Sequence, residues 1–407
     1  MPPYSGRAST LRESPTRRID ALRERLEREG RDVILLSTGQ PGVPPPEWLR
    51  EEAARLAREG GMGVYGYTPS GGYWRLRELI ALDVGELGGP ELDPRQVVVT
   101  AGGQAAMYAA LAAIVPEGGE VVLLDPTYFG YEPLVRHFGG RVRWVPVRAE
   151  EGYQPDPDRV LEAVERGRTS AIVLVTPDNP TGRLLSRSAA RALAEIAEDY
   201  DLWLVADEAY KTLVYEGEHV WLYSLDPERV VSVNTFSKDP GMPGWRLGYV
   251  YGPRWIVGKI HLIHESLVYC PPSIAQRTIM AYLSRREERL RHVEWLRGHY
   301  RVRRDALLEE AARRLPRARL ARPQGGMFAF LDLRRYLEPL GVDAERLAEL
   351  LLEREGVAAV PGTYFGTSHP YALRLSFSTE TPERIREGVA RIARLLGDLE
   401  GEAKAPG

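Results

Sequence analysis

Apolar runs alternate with amphipathic segments between residues 97 and 252 of the chain. Runs rich in β-branched residues predict strands at VVVTA, EVVLLD, VRWVPV, AIVLVT, DLWLVAD, VVSVNTFS and LGYVYG. Segments with helical periodicity predict helices at QAAMYAALAAI, DRVLEAVERG and SRSAARALAEIAEDY. Nearly continuous apolar strands alternating with helices indicate an α/β fold, with a mostly parallel sheet covered by helices on both faces.

The pattern changes on either side of this region. Before it, the sequence predicts a charged helix at 17–29, a short strand at VILLS and a helix from Glu47 to about Arg58. After it, helices extend to about residue 315, and a small unit of strand, helix, strand, strand and helix follows. We therefore predict a large domain at 49–285 and a small α/β domain at 286–407. The N-terminal segment, 1–48, is expected to pack with the small domain, so that both termini form it.

Composition narrows the class of protein. A chain of 407 residues exceeds the size that one core usually supports, in agreement with two domains. A net charge of −3 gives no reason to expect nucleic acid or an acidic membrane as partner. The single cysteine, Cys270, fits a reducing compartment, and we find no secretory signal and no apolar stretch that could span a membrane. These features predict a cytoplasmic location.

The stretch VVSVNTFSKDPGMPGWRLGYVYG, residues 230–252, carries the most specific chemistry. Lys238 lies where its first strand ends, with Thr235 and Ser237 before it and Arg246 after it. Hydroxyls and a guanidinium suit a phosphate, while a primary amine can form an imine with a carbonyl. Pyridoxal 5'-phosphate carries a phosphate and an aldehyde on one ring, so the stretch indicates this cofactor.

Lysine is rare in the chain, which makes Lys238 easier to single out. The 54 basic residues include only four lysines. Lys211 and Lys259 have no hydroxyl and arginine neighbours of this kind, and Lys404 belongs to a polar tail that we expect to fray. If imine chemistry occurs, Lys238 is the best candidate, although a solvated loop is the ordinary explanation for a lysine taken at random.

Polar or glycine residues follow the other predicted strands, where a parallel sheet collects its ligands. Gly103 and Gln104 open a helix after VVVTA, and free amides at such a helix start can bind an anion. Tyr128 follows EVVLLD and could stack on a planar ring or form part of the core. Asn179 follows AIVLVT within TPDNPTG, a string that is also an ordinary turn signal.

Three further side chains are candidates for the site, and two of them are charged groups in apolar strands. Asp207 ends DLWLVAD, where a buried carboxylate needs a partner such as a protonated pyridine nitrogen. Tyr210, three residues later, could donate a hydrogen bond to a ring oxygen. Arg374 interrupts the apolar strand YALRLSFS, either as a structural ion pair or as a clamp for a substrate carboxylate.

In this order the features resemble class I and II aminotransferases, which are fold-type I pyridoxal-phosphate enzymes, and the resemblance covers nearly the whole chain. It is carried by the strings YTPSGGYWRLR, NPTG, DEAY, TFSKDPGMPGWRLGY, VPGTYFG and RLSFS. It implies ping-pong transfer of an amino group between an L-amino acid and a 2-oxo acid such as 2-oxoglutarate. The amino acid would be aspartate, aromatic or similar to 2-aminoadipate. The resemblance also implies a homodimer with shared active sites.

The resemblance implies a role for each candidate. Lys238 would join the cofactor and carry the proton, Asp207 would pair with the pyridine nitrogen, and Tyr210 and Asn179 would contact the ring oxygen. Tyr128 would stack on the ring. Arg374 would bind the substrate's α-carboxylate, with Gly39 near it and Asn179 also facing the substrate. The cofactor phosphate would be held by Gly103, Gln104, Thr235, Ser237, Arg246 and, from the neighbouring subunit, Tyr67.

The chain departs from many relatives in the phosphate cup, where Gly103 and Gln104 stand in place of Ser or Lys and Thr235 in place of Ser. We also find no counterpart of the second arginine that some aspartate-specific members use, so the preferred substrate stays open. The nearest alternative is a lyase, decarboxylase or cyclopropane-carboxylate-type synthase of the same fold. A cofactor-binding regulator is less well supported. A metal hydrolase built on His261, His264 and Glu265 lacks the HExxH spacing, and we expect no metal.

Overall fold

The computed structural model describes residues 6, 8–10 and 17–404. Strands in this part of the chain are β1 (Ile34–Leu35), β2 (Val97–Thr100), β3 (Glu120–Asp125), β4 (Arg141–Pro146), β5 (Thr169–Val175), β6 (Trp203–Asp207), β7 (Val230–Thr235), β8 (Gly248–Tyr251), β9 (Arg319–Leu320), β10 (Phe328–Asp332), β11 (Val357–Ala358), β12 (Val360–Pro361) and β13 (Ala372–Ser376). The apolar runs predicted as strands between residues 97 and 252 form β2 to β8, with ends that differ by at most two residues. In the small unit, β9 was not predicted, and the run VAAVPG forms two strands, β11 and β12.

Helices cover both faces of the strands. They are α1 (Arg17–Arg28), α2 (Glu47–Glu59), α3 (Met62–Tyr65), α4 (Trp74–Glu86), α5 (Gly103–Ile114), α6 (Tyr131–His137), α7 (Pro157–Ala163), α8 (Arg187–Tyr200), α9 (Arg254–Val268), α10 (Ser273–Ser284), α11 (Arg286–Arg314), α12 (Arg334–Leu337), α13 (Ala344–Leu350) and α14 (Pro382–Lys404).

The helices differ from the sequence-based predictions in two places. Helix α6 was not predicted, because seven residues with Pro133 inside them make too few turns to show a periodic pattern. In the tail expected to fray, residues 401–404 are the end of α14, and the expectation for 405–407 lies outside the described residues. The apolar face of this helix, including Ile392, Leu396 and Leu399, is buried and explains its length.

The large sheet has the strand order β2-β8-β7-β6-β5-β3-β4. Strand β8 runs antiparallel to both of its neighbours, and the other strands are parallel to one another. Alternate residues of a strand face opposite helical layers: Val122 and Leu124 contribute to one core cluster, and Val121 and Leu123 to another. The predicted fold class, a mostly parallel sheet between helices, is confirmed.

A second, smaller unit is built from both ends of the chain. Strands β12, β13, β10 and β9 form an antiparallel sheet in that order, and β1 pairs in parallel with β11. Ile34 of β1 and Val357 of β11 are partners in register, and both are fully buried. One apolar cluster joins Ile19 and Leu26 of α1 to Leu396 of α14, so the N-terminal helix belongs to this core. None of the described helices is both long and apolar enough to cross a membrane.

Candidate active site

A cavity of about 350 Å³ opens at the carboxyl ends of the parallel strands. Twelve of the thirteen predicted site residues line it. They are Gly39, Gly103, Gln104, Tyr128, Asn179, Asp207, Tyr210, Thr235, Ser237, Lys238, Arg246 and Arg374. Strands β6 and β7 end at this cavity, and α5 begins there, so the fold itself gathers residues that are far apart in sequence.

The amine of Lys238 lies inside the cavity. Its Nζ donates a hydrogen bond of 2.6 Å to the carbonyl oxygen of Gly39 and lies 5.6 Å from the centre of the Tyr210 ring. Burial lowers the pKa of this amine to about 8, with help from the positive charges of Arg374 and Arg246, while Asp207 acts in the opposite direction. A large fraction of Lys238 is therefore neutral near pH 8 and is able to attack a carbonyl.

Asp207 ends β6 and is held in place by two donors. The hydroxyl of Tyr131 donates to its Oδ2 at 2.7 Å, and the backbone amide of Ala209 donates to its Oδ1 at 3.0 Å. Burial raises the pKa of Asp207, and the hydrogen bonds from Tyr131 and Ala209 partly oppose this shift. A buried carboxylate with one fixed orientation is suited to pair with a cationic ring nitrogen.

The part of the cavity at the start of α5 can accept a phosphate. Helix α5 begins at Gly103, directly after Gly102, whose φ of +91° belongs to the left-handed region. A Cβ at Gly102 would lie 2.7 Å from Nη2 of Arg246, and one at Gly103 would lie 3.2 Å from Cβ of Thr235. A side chain at either glycine would therefore fill the space between the start of α5 and Arg246, and this is the space where an anion would bind.

Hydroxyls complete this anion site. Thr235 Oγ1 donates to Ser237 Oγ at 2.9 Å and accepts from the amide of Ser237 at 3.1 Å. Arg246 adopts a φ of +52° and is fixed by a 2.7 Å hydrogen bond from its Nη1 to the carbonyl of Pro243. Lys238 and Asp207 lie in the same cavity as this anion site. The residues present therefore fit pyridoxal phosphate: the amine suits its aldehyde, the carboxylate its ring nitrogen and the anion site its phosphate.

Arg374 lies on β13 of the small unit and is only 3% exposed. Its Nη1 donates to Asn179 Oδ1 at 3.3 Å and its Nη2 to the carbonyl of Ser37 at 2.6 Å. The guanidinium carbon, Cζ, also lies over two aromatic rings, 4.3 Å from the centre of the Phe328 ring and 4.9 Å from that of Phe365. Its buried Nε has no hydrogen-bond partner among the described residues. Burial lowers the pKa of Arg374 to about 10, so its charge is retained at neutral pH and is free to bind an added anion.

Two pairs of aromatic residues in the cavity contact each other edge to face. The Tyr128 and Tyr131 rings are 5.3 Å apart at 78°, and those of Tyr210 and Phe328 are 5.9 Å apart at 83°. Burial raises the pKa values of Tyr128 and Tyr210, so both hydroxyls stay protonated and can donate hydrogen bonds at neutral pH.

Tyr67 is the one predicted site residue that does not line the cavity of its own chain. It is 85% exposed and packs edge to face on Tyr269, with 5.1 Å between the rings. Met62 and Tyr65 nearby in sequence are also exposed.

Several lining residues were missed by sequence reasoning, among them Ile19, Ser37, Thr38, Met107, Phe129, Tyr131, Asn234, Phe328 and Val360. Tyr131 is the most important of these, since it bonds to Asp207. The only available signal was its position three residues after Tyr128, in a segment whose helix was not predicted. Ile19 could not be found locally, because α1 reaches the cavity only through tertiary packing.

The residues that suggested a metal hydrolase have other partners. His264 Nε2 accepts from the backbone amide of Ala101 at 2.9 Å, and His261 Nε2 lies 2.9 Å from Ser70 Oγ. Across residues 17–404, no group of three or more His, Cys, Asp or Glu side chains is arranged to hold a metal ion. These contacts indicate structural roles for both histidines.

A lysine and an aspartate at the strand ends, an anion site at the start of α5 and an arginine from the small unit define a pyridoxal-phosphate-dependent enzyme of fold type I. Comparison with known proteins then identifies the family. Residues 31–392 match the family model described as aminotransferase class I and II, and the chain belongs to this family. The protein is a pyridoxal-phosphate-dependent aminotransferase, acting between an amino acid and a 2-oxo acid.

Individual relatives agree with this assignment. The chain is 36% identical to an aspartate/prephenate aminotransferase of Thermus thermophilus over 97% of this chain and 98% of the relative. It is 35% identical to an arginine–pyruvate transaminase of Pseudomonas aeruginosa over 92% of this chain and 93% of the relative. Among solved structures, an aspartate aminotransferase of Thermus thermophilus with maleate has a TM-score of 0.90 at 35% identity, covering 97% of this chain and 100% of that one. All three are aminotransferases, which favours transamination over the lyase or synthase alternative.

Proposed function

We propose that Lys238 is the residue that joins pyridoxal phosphate and that carries the proton during transamination. The observation that supports this most directly is that its amine shares one cavity with Asp207 and Arg374. Pyridoxal phosphate supplies an aldehyde that takes up the amino group and a ring that withdraws electrons from the α-carbon. Since its pKa is about 8, Lys238 Nζ can accept and release a proton near neutral pH.

The remaining roles follow from chemistry and position. Asp207 would keep the ring nitrogen protonated, while Tyr210 and Asn179 would donate to the ring oxygen and Tyr128 would cover the ring. The phosphate would be held by the remaining polar residues of the cavity, Gly103, Gln104, Thr235, Ser237 and Arg246. Arg374 would bind the α-carboxylate beside Gly39 and Asn179, because its planar guanidinium is suited to a carboxylate.

For the substrate, we propose an amino acid with an aromatic, long aliphatic, aspartate-like or 2-aminoadipate-like side chain. The wall not assigned to the cofactor or to the α-carboxylate is uncharged and includes Ile19, Phe129 and Val360, together with Ser37 and Thr38. Apolar groups favour an aromatic or aliphatic side chain, and the hydroxyl side chains can donate to an acidic one. The relatives named above act on aspartate, prephenate or arginine by their names, so the family does not restrict the choice.

We propose further that the protein is a homodimer in which Tyr67 reaches the phosphate in the neighbouring subunit. The support is the exposure of Tyr67 and of Tyr269, on which its ring packs, together with the exposure of Met62 and Tyr65, which are close to Tyr67 in sequence. A domain division at 1–48, 49–285 and 286–407 and a cytoplasmic location complete the proposal. Neither nucleic acid nor a membrane is expected as partner.

Borohydride reduction of the holoenzyme tests the role of Lys238. The cofactor should become fixed to the peptide that contains Lys238, and the Lys238→Ala variant should lose this label together with turnover by several orders of magnitude. The Lys259→Ala variant, which changes an exposed lysine, should be labelled like the unaltered protein. Label on another lysine, or full activity of Lys238→Ala, would refute the assignment.

A half-reaction experiment distinguishes the transaminase from a lyase. The holoenzyme is mixed with each of the common amino acids without any 2-oxo acid, and the cofactor absorbance is followed. A transaminase changes the absorbance once and then stops, and the fastest amino acids identify the substrate class. Continued release of product from an amino acid alone would support the lyase alternative.

Mixing two inactive variants tests the shared site. In a hybrid of Lys238→Ala and Tyr67→Ala subunits, one of the two sites contains both unaltered residues if Tyr67 serves its neighbour. Activity should then return after subunit exchange. If Tyr67 serves its own chain, every site keeps one defect and no activity returns.

A further inference from the structure

The residue that follows Lys238 is held by a buried polar cluster on the side away from the cofactor cavity. Asp239 is only 7% exposed, and it does not line the cavity. Its Oδ1 accepts a 2.5 Å hydrogen bond from the Tyr282 hydroxyl, and its Oδ2 lies 3.4 Å from Nη2 of Arg289. A buried carboxylate is costly, so its position next to Lys238 calls for an explanation.

The partners of Asp239 come from two helices. Tyr282 lies on α10 and is fully buried. Its ring stacks on that of Trp48 from α2, with 6.1 Å between the ring centres. Arg289 lies near the start of α11, and its Nη2 also donates to Asp83 Oδ2 on α4 at 2.9 Å. Arg289 is 4% exposed, so it is held between two carboxylates in the protein interior.

His292, one turn after Arg289 on α11, packs edge to face on Tyr282, with 6.1 Å between the ring centres. It therefore helps to hold the ring whose hydroxyl binds Asp239. Before Lys238, the chain is fixed by Thr235 Oγ1, which accepts from the Ser237 amide. Lys238 therefore lies between two anchored points, one in the phosphate site and one in the helical layer.

We propose that Asp239 is a positioning residue for Lys238. Bound to Tyr282 and Arg289, it fixes the turn from which the lysine side chain extends, and so fixes where the Nζ atom lies relative to Asp207. Misplacement of a reacting group by about 1 Å costs about 100-fold in rate, so an anchor of this kind has a direct effect on turnover. The inference rests on the proposed role of Lys238.

The Asp239→Asn variant is the main test. It should fold, because Asp83 still neutralises Arg289 and the amide oxygen can still accept from Tyr282. We expect kcat to fall about tenfold with KM within threefold, since the substrate contacts are untouched. The pH midpoint of the absorbance of the bound cofactor should shift by at least about half a unit, because that midpoint reports the surroundings of the lysine nitrogen.

A second readout does not depend on the cofactor. In the apo-protein, reductive methylation with formaldehyde followed by peptide mass spectrometry gives the labelling rate of Lys238 against pH. This profile should differ between the unaltered protein and Asp239→Asn. The Tyr282→Phe variant, which removes only one hydrogen bond, should shift it in the same direction by less, and it carries the test if Asp239→Asn does not fold.

The Glu310→Gln variant is the matched control. Glu310 is also a buried carboxylate bound by arginines, and it lies on the same helix, α11, but far along it. It should lower the unfolding temperature and leave kcat and the Lys238 profile unchanged. If Asp239→Asn and Tyr282→Phe lower only the unfolding temperature, Asp239 is merely structural and the inference is wrong. If borohydride does not fix the cofactor to Lys238 in the unaltered protein, the proposed role of Lys238 fails first.

Discussion

The hydroxyl of Tyr131 donates a 2.7 Å hydrogen bond to Oδ2 of Asp207. Tyr131 is 1% exposed, so the bond lies in the protein interior, where a polar group needs a partner. Burial raises the pKa of Asp207, and the hydrogen bond from Tyr131 is the largest influence that opposes this rise. The tyrosine therefore helps to keep Asp207 ionised, which is the form that can pair with a protonated ring.

The Tyr131→Phe variant tests this relationship. Without the donor, the pKa of Asp207 should rise and the pair with the ring nitrogen should weaken. A hydrogen bond to a charged group contributes about 1.5–3 kcal/mol, so we expect kcat/KM to fall by about ten- to 100-fold. Cofactor affinity, measured by equilibrium dialysis, should fall as well.

Tyr153→Phe provides the control for that change. Tyr153 is equally buried, but its hydroxyl has no hydrogen-bond partner among the described residues and it does not line the cavity. Its removal should leave both kinetics and cofactor affinity unaltered. Equal behaviour of the Tyr131 and Tyr153 variants would contradict the role assigned to Tyr131.

The second prediction concerns the pH dependence of the apo-protein. The pKa of Lys238 is about 8 in the folded protein and 10.5 without perturbation. Between these values the unfolded chain binds more protons than the folded one, so stability should rise with pH from about 8 to 10.5. Urea unfolding of the apo-protein across this range measures the effect, and in Lys238→Met the rise should be smaller.

Neighbouring charges should move this pKa in opposite directions. Arg374→Leu removes a positive charge and should raise the pKa of Lys238, whereas Asp207→Asn removes a negative one and should lower it. The labelling rate of Lys238 against pH measures the midpoint, with the exposed Lys259 as a reference in the same sample. Shifts of the same sign in both variants would refute the electrostatic explanation.

The third prediction concerns the glycine before α5. In Gly102→Ala, the new methyl group would lie 2.7 Å from Arg246 Nη2, so the guanidinium would have to move and the space between it and the start of α5 would be filled. The backbone of Gly102, at φ +91° and ψ 166°, lies in a region almost restricted to glycine, so alanine there adds a strain of about 1–3 kcal/mol. We expect cofactor affinity to fall at least about tenfold, a loss of about 1.4 kcal/mol.

A control variant at a second glycine separates the effect of backbone strain from that of the contact between the new methyl group and Arg246. Gly118 also has a positive φ, +78°, but a Cβ there meets no atom within 4 Å. Gly118→Ala should therefore lower the unfolding temperature without a change in the dissociation constant of the cofactor. If the two alanine variants bind the cofactor equally well, Gly102 does not shape the phosphate site.

The sheet and most of the cavity could be predicted from the sequence because both are encoded locally. β-Branched runs identify strands, and the carboxyl ends of parallel strands meet at one edge, so the strand ends alone bring Asn179, Asp207 and Lys238 together. Arg374 could be singled out because a charge within an apolar strand is costly. In each of these cases the signal lies within a few residues of the side chain.

The residues that were missed depend on tertiary packing. Tyr131 lies on a helix of seven residues that is too short to give a periodic signal, and Ile19 reaches the cavity from the far end of the chain. Nothing in the local sequence singles out Asp239, because its partners Tyr282 and Arg289 are 43 and 50 residues away. Local patterns carry no information about such pairs.

The last prediction concerns Arg374 and the α-carboxylate. The guanidinium is already fixed by Asn179 and by the carbonyl of Ser37, and it lies over the Phe328 ring, so little entropy is lost when a carboxylate binds. Lysine at this position has no planar fork and cannot keep these contacts. In Arg374→Lys we expect kcat/KM for an amino acid to fall about 100-fold or more, mostly through KM, with the cofactor still bound.

The matched comparison changes the substrate in place of the enzyme. For the corresponding amine without its carboxyl group, the slow rates of the unaltered enzyme and of Arg374→Lys should agree within about threefold, because Arg374 then has nothing to bind. Arg304→Lys changes another arginine that is 1% exposed on the side chain and bound to Glu216 and Asp305, and it should lower stability without raising KM. If Arg374→Lys slows the amine and the amino acid equally, Arg374 acts on the fold or on the cofactor and does not bind the substrate carboxylate.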